Sequence, residues 1–184
     1  MRHEVPNRWR GLVIGLAGGL VGTAVMGGFW GAVQKIAGAD PRAATREGDA
    51  HPFDDISLIG KHAGDDESST AAVGRIAYER LTGSPPESDE TKATLSYVVH
   101  YGFGALHGGM YGAWSEGLGG DPITTGSLYG TALWLSSDEA AISLLGLAPG
   151  PGKYPLGQHA SRLGAHIAYG IGTGVTTTLL RRLL

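Results

Sequence analysis

Four ionisable side chains set in otherwise apolar sequence carry most of the chemistry this chain could do: His100, Asp138, Glu139 and His166. A carboxylate beside an imidazole can pass a proton or hold a cation, because histidine changes charge near neutral pH. Such groups are costly to leave in hydrocarbon and so mark a candidate site. His100 lies about seven residues, roughly 10 Å, into its apolar stretch. Asp138 follows Pro122 by 16 residues in a stretch running the other way, which puts it at a similar depth. His166 sits a few residues into the last stretch, with Arg162 and His159 at its edge. His100, His166, Asp138, Glu139 and Arg162 therefore form a candidate ion or proton relay. Two structural readings stand beside it. The charges could neutralise one another as packing contacts, or Asp138-Glu139 could sit at a re-entrant break. His100/His107 and His159/His166 are each spaced by seven, which keeps each pair on one helix face and raises a haem or metal alternative. Spacing alone does not supply converging ligands or their second shell, so no metal ligand and no cofactor is assigned. His3, His51 and His62 fall in polar segments and need no special role.

The elements that must position these residues are apolar runs of bilayer length. The first is 11–34, preceded by Arg2, Arg8 and Arg10 and holding Trp30, with Trp9 just before it. It exceeds the roughly 30 Å hydrocarbon core at 1.5 Å per residue. A secretory signal is the rival reading, but the run is long for one and a similar Gly-rich run recurs later. The others are 93–115, 122–148 and 163–180, the third being the weakest because it contains Asp138 and Glu139. Arg181 and Arg182 close the last. Arginines flanking both the first and last runs place both termini in the cytoplasm, an assignment an even number of spans matches. The acidic turn Glu116 to Asp121 would then also be cytoplasmic, against the usual charge bias. Between the first two runs, 35–92 holds seven basic and twelve acidic side chains. It reads as an external acidic loop with a short amphipathic helix. Ser68 or Ser69 would cap that helix, and Val73, Ile76, Ala77 and Leu81 would share a face.

Composition agrees. Charged residues are 17% of the 184, against roughly 25% in soluble domains. Glycine, at 32 residues, is concentrated in the apolar runs. Gly15 and Gly19, then Gly104, Gly108 and Gly112, then Gly126 and Gly130, then Gly170 and Gly174 recur four apart and make smooth helix-packing faces. There is no cysteine, and the net charge of −3 gives no footprint for nucleic acid. No P-loop, G-x-S-x-G or H-E-x-x-H is present, so no catalytic residue is assigned and the chain is not expected to be an enzyme.

An internal repeat is visible. Leu20-Val21-Gly22-Thr23-Ala24-Val25-Met26 matches Leu128-Tyr129-Gly130-Thr131-Ala132-Leu133-Trp134, and His100-Tyr101-Gly102-Phe103-Gly104 matches His166-Ile167-Ala168-Tyr169-Gly170. The order is the same, so the fold class expected is an all-α polytopic bundle of about four membrane helices, arranged as two similar parallel-repeat hairpins.

On Asp40-Pro41-Arg42 after the first run, His100 opening the second, Gly146-Leu147-Ala148-Pro149 and Gly164-Ala165-His166, the chain resembles the YagU-like family of bacterial inner-membrane proteins. That family's Pro-Pro-Arg element has only one proline here. The resemblance implies a multi-pass inner-membrane location and supplies no mechanism. The function expected is an accessory or scaffold subunit, as a homo-oligomer or with other membrane subunits. Proton- or ion-linked permeation and haem or metal binding are the alternatives.

Overall fold

The structure, a computed structural model, describes residues 6–184; Arg2 and His3 lie outside them. The helices are α1 (Arg8–Ala37), α2 (Ser69–Thr82), α3 (Asp89–Ser115), α4 (Pro122–Leu133), α5 (Ile142–Leu144, a single turn) and α6 (Leu156–Leu183). A π-helical stretch, Trp134–Ala141, links α4 to α5. No strand occurs among the described residues, and the chain is an all-α helical bundle. The helical path that starts at Pro122 stops at Leu144, short of Ala148. Gly146 turns the chain there with φ +64°. Among the described residues only α1 is both long and apolar enough to cross a membrane by composition, with a mean hydropathy of 1.9.

The chain divides into two compact units. The first comprises Met1–Asp40, Tyr101–Leu133 and Ala160–Leu184; the second comprises Pro41–His100 and Trp134–His159.

In the first unit, α1 starts where the Asn7 side chain accepts the Arg10 N–H at 3.1 Å. It ends at Gly38, whose φ of +74° suits a glycine cap. Four helices close a ring in which every neighbour is antiparallel. A Cβ placed on Gly11, Gly15 or Gly19 of α1 would meet backbone of Gly112, Gly108 or Gly104 in α3. A Cβ on Gly126 or Gly130 of α4 would meet the carbonyl of Gly170 or His166 in α6. Gly18 and Gly22 give α1 a second smooth face, against which Thr177 and Thr173 of α6 lie. Hydrogen bonds between side chains of α3 and α4 close the ring. With side chains absent at the crossings, backbones touch, and dispersion with weak Cα–H···O contacts replaces apolar interdigitation.

The interior of this unit is small and polar while its exterior is apolar. Thr173 and Thr177 are fully buried, and Tyr169 is 2% exposed. Val13, Phe103, Leu106, Met110, Trp114 and Leu128 face outward. A modest apolar cluster of Met26, Leu133, Ala165 and Tyr169, with Phe29, Trp30 and Tyr129 against it, supplies the rest.

The second unit is assembled differently. Its long polar segment is tied down by main-chain bonds: Arg46 N–H to Lys153 O at 2.7 Å, Leu58 N–H to Leu144 O at 2.9 Å, His62 N–H to Gly146 O at 2.8 Å, and Gly150 N–H to Asp54 O at 2.8 Å. Side chains added at Gly146, Gly150 or Gly152 would strike Gly60, Phe53 or Asp54. The glycines of the 146–152 stretch thus allow this close approach. Arg46 braces it, reaching Gly152 O at 2.8 Å and Asp54 at 3.2 Å. Ser68 caps α2, accepting the Ala71 N–H at 3.3 Å. The face α2 packs is not the one its apolar spacing predicts. Leu81 is 86% exposed and Val73 is also exposed, whereas Ala72 is fully buried and Gly74 sits over Leu95 of α3. Small residues win because they let the two helices approach, and Arg75, paired with Glu67 at 2.9 Å and Glu79 at 3.2 Å, fixes the rotation.

Candidate functional site

Three polar groups are built by these elements. In the second unit the π-helical stretch presents Glu139, and the first turn of α6 presents His159. Their contact, Oε1 to Nδ1, is 2.7 Å. The other ring nitrogen, Nε2, faces the Pro151 carbonyl at 3.1 Å. A carbonyl can only accept, so Nε2 carries a proton. The short Nδ1–carboxylate contact therefore needs a second proton, either on the imidazole, giving an ion pair, or on the carboxyl. Both side chains are largely buried, at 19% and 15% exposure. Tyr154 closes over the ring edge-on, 6.2 Å between centroids. Chemically, the pair holds one proton in a short hydrogen bond between imidazole and carboxyl. A π turn carries an extra residue relative to an α turn and often marks functional positions.

In the first unit a line of hydroxyls and imidazoles fills the space between the glycine crossings. The Tyr129 hydroxyl donates to the His107 carbonyl at 2.9 Å, and His107 Nδ1 lies 3.2 Å from the same oxygen. Since the tyrosine proton is engaged, Nδ1–H is the donor in that second bond. Tyr111 and Thr125 share a hydrogen bond of 2.8 Å. The Tyr169 hydroxyl donates to Gly104 O at 2.6 Å, across α6 and α3. His166 Nδ1–H donates to the Arg162 carbonyl of its own helix at 2.9 Å. The rings of Tyr111 and Tyr129 meet edge-on at 5.3 Å.

The third group sits at the end of the first unit where α1 begins and α3 and α6 finish. Glu116 is ion-paired with Arg181, Oε2 to Nε at 2.7 Å, and accepts from Arg10 Nη1 at 3.4 Å. Arg10 Nη2 also donates to Arg181 O at 2.9 Å. Arg181 Nη2 reaches Gly112 O at 2.6 Å and Ser115 Oγ at 3.1 Å, capping the carbonyl end of α3. A cleft of about 200 Å³, lined by Tyr111, Ser115, Glu116, Thr125 and Arg181 among others, opens beside it. Asp121 nearby caps α4 by accepting Thr124 N–H at 2.8 Å. That bond, followed by the Thr124 hydroxyl, holds its carboxyl below the ordinary value.

Of the relay residues expected from sequence, Glu139 is joined to His159, which spacing placed only at the edge of the group. His166 and Arg162 belong to the first unit, and His100, Asp138 and Glu139 to the second. His100 and Asp138 are half-buried. The seven-residue histidine spacing has no common endpoint: His107 turns to Tyr129 and His159 to Glu139. No group of three or more His, Cys, Asp or Glu side chains converges among the described residues. The expected packing glycines, Gly15, Gly19, Gly104, Gly108, Gly112, Gly126, Gly130, Gly170 and Gly174, all lie at close approaches. Spacing missed Gly11, Gly18 and Gly22, and it missed the Glu116 cluster. The signal for the latter was available: helices running up, down, up and down bring Arg10, Glu116 and Arg181 to one end. Compared with family models, with curated proteins and with solved structures, the chain finds no match in any of the three.

Proposed function

We propose that the chain is a four-span integral membrane protein, with both termini cytoplasmic, that serves as an accessory or scaffold subunit, self-associating or within a larger membrane complex. One observation carries this reading: the interior of the first unit is largely Gly, Thr and Tyr, with a small apolar cluster at Met26 and Leu133, while Val13, Phe103, Leu106, Met110, Trp114 and Leu128 face out. Water would penalise that distribution, whereas lipid accepts the apolar exterior. The same distribution accounts for the low mean hydropathy of α3, the Pro122–Leu144 path and α6. Their glycines, hydroxyls and imidazoles lower the average while the outward faces remain apolar. Pairing of Glu116 with two arginines also removes the charge-bias objection to a cytoplasmic Glu116–Asp121 turn. Touching backbones leave little lumen, which favours a packing role over a channel. Affiliation with the YagU-like family is part of this proposal.

The chain has no cysteine, so single-cysteine labelling can test the topology directly. Ala50→Cys should react with an impermeant reagent in intact cells and Leu118→Cys only after lysis; the reverse pattern refutes cytoplasmic termini, and reaction of both refutes four spans. Native mass after gentle detergent extraction tests the role. Fixed-stoichiometry partners or a discrete homo-oligomer support a scaffold, and a monomer alone removes it. The Glu139–His159 pair favours a second reading, proton-linked permeation. Glu139→Gln in reconstituted vesicles should then abolish a proton flux seen with the parent chain, and equal fluxes would end that reading.

A further inference from the structure

We propose that the end of the first unit formed by the start of α1 and the finish of α6 binds an anionic phospholipid, its phosphate on the arginines and an acyl chain in the groove below. This rests on the reading that these helices lie in a bilayer. A shallow groove of about 450 Å³ is lined by Asn7, Trp9, Arg10, Val13, Ile14 and Leu184. Its floor and walls are apolar: Val13 is 63% exposed and Trp9 78% exposed, and Leu184 is likewise open. Its lip is cationic. Arg8 and Arg182 flank it in sequence and are exposed, and Arg10 and Arg181 stand behind them. Among the described side chains, Glu116 is the one carboxylate engaged here, and Arg10 and Arg181 already share it. Arg8 and Arg182 have no carboxylate partner among the described residues. Two arginines also stand in the first turn of α1 with no acidic residue, where the helix dipole disfavours cations. A bound anion reverses the sign of that interaction. Charge and shape select the occupant together. A free phosphate would leave the apolar floor wet, and a zwitterionic head group would bring its own cation against the lip. An anionic diacyl lipid satisfies both surfaces, and Trp9 is the kind of side chain that settles at the head-group level.

The test uses the full-length protein in neutral detergent, titrated with phosphatidylglycerol or phosphatidylcholine and read by native mass spectrometry. Phosphatidylglycerol should bind about tenfold tighter, a preference that shrinks as salt rises. R8Q with R182Q, which leaves the Arg10–Glu116–Arg181 cluster intact, should cut the preference below about threefold. Val13→Gln, on an exposed position, should weaken both lipids alike. Equal binding of the two lipids by the parent chain, or an undiminished preference in R8Q/R182Q, overturns the site. Inorganic phosphate competing as well as lipid would overturn the role of the groove. Extraction of membranes with alkaline carbonate separates this from the broader reading. A chain released by carbonate sinks the membrane proposal and the site with it, whereas a retained chain without lipid preference sinks the site alone.

Discussion

The two units use glycine for opposite physical ends. In the first, glycines within helices remove side chains so that backbones touch, and the hydrogen-bonding capacity of the main chain is already spent inside each helix. In the second, glycines at 146, 150 and 152 let irregular chain approach irregular chain, and the main-chain bonds run between segments. One region is held chiefly by backbone contact, with side-chain hydrogen bonds such as Tyr169 to Gly104 O added between helices, the other chiefly by main-chain bonds between segments with little apolar burial. The first should answer chiefly to volume; the second should answer to backbone conformation and to charge.

The largest effect should come from Gly108→Val. Its Cβ would fall on backbone atoms of Gly15 and Gly19, which cannot step aside. A loss of about 3 kcal/mol or more is expected from such overpacking, read as a lower melting temperature in detergent. An unchanged melt would mean that the crossing is looser than described. Gly146→Ala comes next, because φ of +64° and a clash with the Gly60 carbonyl combine. About 2–3 kcal/mol should be lost locally. Hydrogen exchange should quicken at the Leu58, His62 and Ala63 amides and stay unchanged through α1; uniform acceleration would contradict separate modes of stabilisation. The third concerns pH. The Arg75 hydrogen bond holds Glu67 below its ordinary value of 4.5. A depressed carboxyl contributes stability that is present above its unfolded value and is lost as pH falls through the folded one. Protection of α2 amides should therefore decline below about pH 4.5, and Arg75→Gln should flatten that decline. Smallest, and opposite in sign, is Gly28→Ala. Nothing lies within 4 Å of its would-be Cβ, so a gain of up to about 1 kcal/mol is expected. A loss would reveal that this face is covered.

Glycines four apart announced which helix faces are smooth, and alternation of apolar runs with Arg clusters announced where helices lie. Spacing could not announce partners. α1 carries two smooth faces, through Gly11, Gly15 and Gly19 and through Gly18 and Gly22, and only contact shows that one meets α3 and the other α6. Glu139 was legible as a group that needs a partner, yet depth counting chose His100 and His166, where the structure chose His159. The π stretch shifts the angular phase on which such counting relies. The anchoring of 46–63 on 144–153 was illegible because main-chain bonds between irregular segments leave no side-chain period. The residue types at Gly146, Gly150 and Gly152 were its sole trace.

The second smooth face of α1 also imposes an order of manufacture. Its cover, Thr173 and Thr177, belongs to α6, which leaves the ribosome well after α1. Throughout synthesis of the intervening residues, Gly18 and Gly22 lack their final neighbour, and a chain cut short before Leu156 never acquires one. Closure of the ring thus waits on α6, and of the four ring helices α1 is the one that waits longest for it.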